Sequence, residues 1–137
     1  MTFRLATLSA GANPIYWDTL QDLLGSADIP IEPDASYRPY AETVKTQAGG
    51  KFGRGFAIAT WLLTGINAEQ KYILRQICPN ASADVYIETL TNEYDVSGNR
   101  IWIQAQAVME WMDGDEDIQA DYTIDLEILF THISEVI

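Results

Sequence analysis

The stretch ADVYIETLTNEYDVSGNRIWIQAQAVMEWM (83–112) carries a period of two on both sides of a turn. Val85, Ile87 and Thr89 alternate with Asp84, Tyr86, Glu88 and Leu90. On the return, Ile101, Ile103, Ala105, Ala107, Met109 and Trp111 take every second position. Successive strand side chains point to opposite faces, so the pattern is that of a half-buried β-hairpin. SGN (97–99) supplies turn chemistry between the two runs. DGDED (113–117) is a second turn. After it, Tyr122, Ile124, Leu126, Ile128 and Phe130 face one way, while Asp121, Thr123, Asp125, Glu127 and Thr131 mostly face the other. The second half of the chain therefore ends in a three-strand meander.

Two elements precede the meander. FAIATWLLT (56–64) is a near-continuous apolar run with β-branched and aromatic residues, short enough for a buried strand. NAEQKYILRQICP (67–79) is a helix, with Asn67 as N-cap and Gln70 completing a capping box. Glu69 in the first turn and Lys71 and Arg75 later suit the helix dipole. Ile73 and Ile77 face the core, with Tyr72 or Leu74 nearby, and Pro79 stops the helix. The first 45 residues are less regular. YWDTLQDLL (16–24) forms a short helix with Trp17, Leu20 and Leu24 on one stripe, ended by Gly25. Pro14, Pro30, Pro33 and Pro39 then favour an extended loop or arm. Ile29, Ile31 and Tyr37 must be buried, against the β core or a neighbouring subunit. No internal repeat or low-complexity tract is visible.

A chain of 137 residues fits one domain, 1–137, able to bury a real core. The net charge of −12 disfavours a surface that grips nucleic acid or an anionic membrane. Contact with DNA in transit stays compatible, since an acidic wall repels the backbone. The lone Cys78 cannot form an intrachain disulfide. MTFRLATLSAGA shows no apolar signal region, which points to synthesis in the cytoplasm. FAIATWLLTGI (56–66) is too short to span a bilayer. NAS (80–82) matches a glycosylation sequon, read as chance without a secretory signal.

QAGGKFGRG (47–55) invites a phosphate-cradle reading, but spacing and context both oppose it. A Walker loop needs Ser or Thr after its Gly-Lys, and here Phe52 follows Lys51. A dinucleotide fingerprint opens a helix, whereas this loop leads into a strand. It reads as a hairpin tip or flexible loop. Three of the eight bases, Lys45, Lys51 and Arg54, fall in the ten residues 45–54. The acidic counterpart is 110–127, with Glu110, Asp113, Asp115, Glu116, Asp117, Asp121, Asp125 and Glu127. DGDED lacks the glycine and the twelfth-position glutamate of a calcium loop, and reads as a solvated acidic turn. A basic loop and an acidic loop in one chain can meet between identical subunits, head to tail.

No catalytic, cofactor-binding or metal site is expected. His132 is the sole histidine and reads as a packed or exposed strand residue. Zinc needs several His or Cys ligands, and the chain has two such residues. Cys78 at a helix end reads as a small buried apolar residue. Trp61 and Trp111 belong to the core, whereas Trp102, beside Gln104 and Gln106, faces outward at an interface.

The segment KTQAGGKFGRGFAIATWLLTGINAEQKYILRQICPNASADVYIET resembles small virion proteins of tailed bacteriophages. The shared pattern is a glycine-bearing basic loop, a strand ending in Trp and Leu, a helix and then a β meander. Gly53, Gly55, Phe56, Trp61, Leu62, Gln70, Leu74 and Pro79 carry it. The resemblance covers about half of the chain and none of the first 40 residues. It implies a tail-tube or distal-tail-like protein of the virion tail that forms hexameric rings and meets other tail or baseplate proteins. It brings no catalytic residues. The expected fold is then mainly β: an antiparallel β-sandwich or barrel flanked by one α-helix (67–78), with long loops and an extended N-terminal segment. The expected subunit interface is Lys45, Lys51, Phe52, Arg54, Trp102, Asp113, Asp115, Glu116 and Asp117. Glu88, Glu110, Asp121, Asp125 and Glu127 are the lumen-facing candidates, past which DNA would move without sticking. A different virion station, or a small carbohydrate-binding β domain using exposed tryptophans, is the alternative.

Overall fold

The computed structural model describes residues 2–25, 31–111, 118–119 and 122–136; for 118–119 and 122–125 it describes the backbone alone. The strands are β1 (Arg4–Thr7), β2 (Asp18–Thr19), β3 (Asp34–Arg38), β4 (Glu42–Lys45), β5 (Lys51–Arg54), β6 (Ala57–Asn67), β7 (Ser82–Tyr94), β8 (Arg100–Trp111), β9 (Ile118–Gln119) and β10 (Tyr122–Glu135). Among the described residues two α-helices accompany them, α1 (Leu20–Leu24) and α2 (Ala68–Ile77). The main sheet is antiparallel in the order β2-β1-β7-β8-β10-β6-β3, with β9 paired to β10; β4 and β5 form a separate two-stranded ribbon. The sheet curls until β3 lies against β7, yet the two share no ladder. The architecture is sandwich-like rather than a closed barrel.

The meander β7-β8-β10 follows from the alternation. Val85, Ile87, Ile103, Ala105, Ala107, Met109, Leu126, Ile128 and Phe130 are all buried. Asp95 builds the first turn by accepting from the N–H groups of Ser97 and Asn99, and Gly98 adopts φ 83° there. β6 places itself beside the last strand, β10, rather than beside β7, its successor after the helix. Trp61 anchors it. The indole is fully buried, packs edge-on against Phe130 at 4.6 Å and Phe3 at 5.5 Å, and donates from Nε1 to Thr89 Oγ1 at 2.9 Å.

The helices pack on the concave side of the sheet, since Leu20, Leu24 and Leu74 belong to the same core cluster. α2 has the expected capping box: Asn67 Oδ1 accepts from Gln70 N, and Gln70 Oε1 accepts from Asn67 N. Leu74 is its fully buried residue; Ile73 and Ile77 are half-buried and Tyr72 is exposed. Gln70 Nε2 also donates to Leu24 O at 3.2 Å, which ties α2 to the end of α1. α1 starts later than the stripe suggests, capped by Thr19, and ends at Gly25 in the left-handed region.

The N-terminal segment contributes more order than its prolines imply. It supplies β1, β2, α1 and β3, and so both edges of the main sheet. Trp17 is buried, stacks on Tyr86 at 5.2 Å and donates to Gly11 O, so residues 8–17 fold over the outer face of β7.

Candidate functional site

The ribbon β4-β5 is the segment least absorbed by the fold. Neither of its strands packs extensively on another described element. Its tip closes locally: Thr46 N donates to Gly50 O at 2.8 Å and Gly49 N to Thr46 O at 3.1 Å, with Gly49 at φ 87°. Gly53 is required, because a Cβ there would lie 2.1 Å from Cδ1 of Tyr40, whose ring covers the glycine. Phe56, beside the exposed His132, stands where the ribbon meets the sheet. An isolated two-stranded ribbon is marginal in water.

The register sorts the ribbon's chemistry. Glu42 opposes Arg54 and Val44 opposes Phe52, while Thr43 opposes Gly53 and Lys45 opposes Lys51. One face therefore bears an apolar pair and an ion pair, since Arg54 bonds Glu42 of its own chain. The other face bears two lysines directly across from each other, which is destabilising unless an anion answers them. Among the described residues no ion pair involves Lys45 or Lys51. Phe52 is 49% exposed. Sequence reasoning grouped Lys45, Lys51, Phe52 and Arg54 as one basic loop. The structure separates Arg54, neutralised within the ribbon, from the lysine pair.

The other expected residues scatter. Trp102 is half-buried and packs on Phe3 at 4.9 Å. It lines a shallow open notch with Ile101, Ile103, Gln104, Glu135 and Val136. Beside the notch the described β8–β10 ladder runs to Glu135↔Ala105, and Val136 N donates to Gln104 O. Tyr37 feels the negative charges of Glu93 and Glu135. Burial first, then these two carboxylates, raise the Tyr37 hydroxyl above its ordinary range.

Of the lumen-facing candidates, Glu110 and Glu127 lie on the outer face of β8 and β10, half-buried and exposed respectively. Glu88 is a correction. It is 2% exposed, 3.7 Å from Arg4 Nε, and accepts from Gln104 Nε2 at 3.0 Å and from Thr2 N at 3.3 Å. Its alternation with Val85 and Ile87 does put it on the outer face, but β1 and Gln104 cover it there. Its charge is spent inside the subunit, holding β1 to β7. Asp113, Asp115, Glu116, Asp117 and Asp121 lie outside the described residues, as does the side chain of Asp125.

The reactive side chains do not converge. Cys78 is fully buried, its Sγ donates to Asn80 O and Met109 O, and burial pushes its thiol above the ordinary range. His132 is exposed, beside Thr131 and Phe56. It sits at φ 52° in a bulge where the register of β10 shifts against both neighbours. The sequence held a signal for that bulge: core positions Phe130 and Ile133 are three apart, not two. It held none for Tyr40 over Gly53 or for the Arg4–Glu88–Gln104 group, which depend on long-range pairing. Among the described residues no three His, Cys, Asp or Glu side chains gather as metal ligands. No helix among them is long and apolar enough to cross a membrane.

Comparison with protein-family models, with curated proteins and with solved structures yields no match.

Proposed function

We propose that this protein is a non-enzymatic structural subunit of a tailed-bacteriophage virion, in the tail tube or the tail-to-baseplate adaptor. Copies assemble into rings, hexameric by the family resemblance, around an acidic lumen that DNA crosses without binding. The observation that carries this reading is the exposed ribbon β4-β5. It has little packing of its own, its lysine pair has no ion-pair partner among the described residues, and it belongs to a chain of net charge −12. Such a ribbon is intelligible as an element completed by another subunit. Glu110 and Glu127, on the outer face of the sheet, support an acidic wall; Glu88 does not contribute to it. A carbohydrate-binding role through tryptophan has less support, since Trp17 and Trp61 are buried, Trp102 lies on Phe3 and Trp111 lies under Arg75.

The test is to purify tailed particles from a lysate of the strain that encodes the chain. Mass spectrometry and gold-labelled antibody would then locate it. Labelling along the tail or at its distal end supports the reading. Labelling at the head–tail junction or the capsid moves the protein to another virion station. Absence from the particles sinks the virion role.

A further inference from the structure

A groove crosses the outer face of the main sheet where β10 bulges. Phe56, Asp84, Gln106, Val108, His132 and Ser134 line it, and its volume is about 390 Å³. That volume is in the range of small-ligand sites. Two backbone departures converge on one end of it. Thr131 opposes Val108 and Ser134 opposes Gln106, so His132 and Ile133 together stand against Ala107 alone. The extra residue lets Ile133 enter the core and turns His132 outward, at φ 52°. A left-handed backbone is uncommon for a residue with a side chain. Gly55, at φ 90°, makes the bend into Phe56, and a Cβ on it would lie 2.8 Å from that of Ala41. The rings of Phe56 and His132 thereby stand 5.7 Å apart, tilted by 42°, with Phe56 58% exposed. The polar side chains are open too. Among the described residues those of Asp84, Gln106 and Ser134 make no hydrogen bond or ion pair. His132 uses Nδ1 on Thr131 Oγ1 at 3.1 Å, which leaves Nε2. The strand order β7-β8-β10-β6 puts Asp84 at one end of the groove and Phe56 at the other. Three strand spacings span about 14 Å, so the groove suits an elongated ligand.

We propose that this groove binds a short neutral oligosaccharide, one sugar lying on the Phe56–His132 platform and the next hydrogen-bonded to Ser134, Gln106 and Asp84. A sugar ring has an apolar C–H face for an aromatic ring and hydroxyls that both donate and accept. The groove matches both: its carboxylate only accepts, while its carboxamide, hydroxyl and imidazole supply donors as well. An anionic ligand is opposed by Asp84 and by the net charge of −12. A small cation would leave the donors unused, and Asp84 is three strands away from Phe56. An extended peptide takes pockets for alternate side chains, and the aliphatic residues here are Ala107 and Val108 alone. The site uses none of the tryptophans, and it does not rest on the virion reading.

The experiment titrates the isotopically labelled chain, followed by NMR, with maltotriose, mannotriose, galactotriose and tri-N-acetylchitotriose. At least one should shift the ring resonances of Phe56 and His132 with a dissociation constant of about 1 mM or tighter. Phe56→Ala and Asp84→Ala should each weaken that binding about tenfold. Phe52→Ala, which removes a similarly exposed ring from the ribbon, should leave it unchanged. His132→Gly relieves the left-handed backbone, so it should unfold no earlier in urea and yet bind more weakly. A merely structural histidine would not separate those two readings. Urea midpoints establish that the alanine variants fold. Three results overturn the inference. No probe shifts the two rings at about 10 mM. Binding is unchanged in Phe56→Ala. The rings respond to sialyllactose, arginine methyl ester or inorganic phosphate and to no neutral sugar. None of these touches the particle-labelling test, so the sugar site can fail while the virion reading stands.

Discussion

Trp61 and Thr89 form a buried polar contact in the middle of the aromatic core. Replacing Trp61 by Phe keeps most of the apolar volume but leaves the Thr89 hydroxyl with only a long contact to Leu90 O. The expected loss is about 1–3 kcal/mol, since an unsatisfied buried group costs its desolvation; Trp61→Ala should cost about 3–5 kcal/mol through the cavity. Urea denaturation measures both. Titration gives a second residue-scale expectation. Cys78 and Tyr37 both have folded pKa values raised by burial, so each contributes stability below its unfolded pKa and loses it as pH rises. The protein should therefore weaken as pH climbs past about 9. Cys78→Ala should flatten that decline relative to the native chain, and an unchanged slope would show that the thiol does not titrate with unfolding.

Among the elements, α2 and the ribbon stand at opposite ends of legibility. α2 was readable to within a residue, because its cap, its dipole charges and its stop are all local chemistry. Asn67→Ala should cost about 1 kcal/mol, measured by thermal or urea unfolding, because Gln70 N loses its acceptor. The alternation of β7, β8 and β10 was equally plain, since a period of two needs no partner to be seen. The position of β6 beside β10, the contribution of β1 and β3 to the sheet edges, and the burial of Glu88 were not plain. Each depends on which strand arrives alongside, and no single segment encodes that. The ribbon shows the same limit in small. Its three glycines announced a turn, but Tyr40 over Gly53 joins residues whose spacing carries no pattern. Gly53→Val should drive the Tyr40 ring away and loosen the ribbon. Faster amide exchange at 42–54 with an unchanged core would mark that outcome, and unchanged exchange would contradict the role given to Tyr40.

At the scale of the whole molecule, a curled antiparallel sheet closes over one core and leaves its ribbon outside. The lysine pair on that ribbon has no ion-pair partner among the described residues. The acidic outer face formed by Glu110 and Glu127 fits a wall past which a polyanion moves. The proposal of a self-assembling subunit joins these two facts. Its most direct measurement is molar mass by light scattering across concentration, with negative-stain imaging of the same samples. The account predicts a rise from monomer to a discrete multiple, with rings or short tubes in the images, weakened by moderate salt as the lysine contacts are screened. A constant monomer mass at every concentration and salt, with no rings in the field, would contradict it.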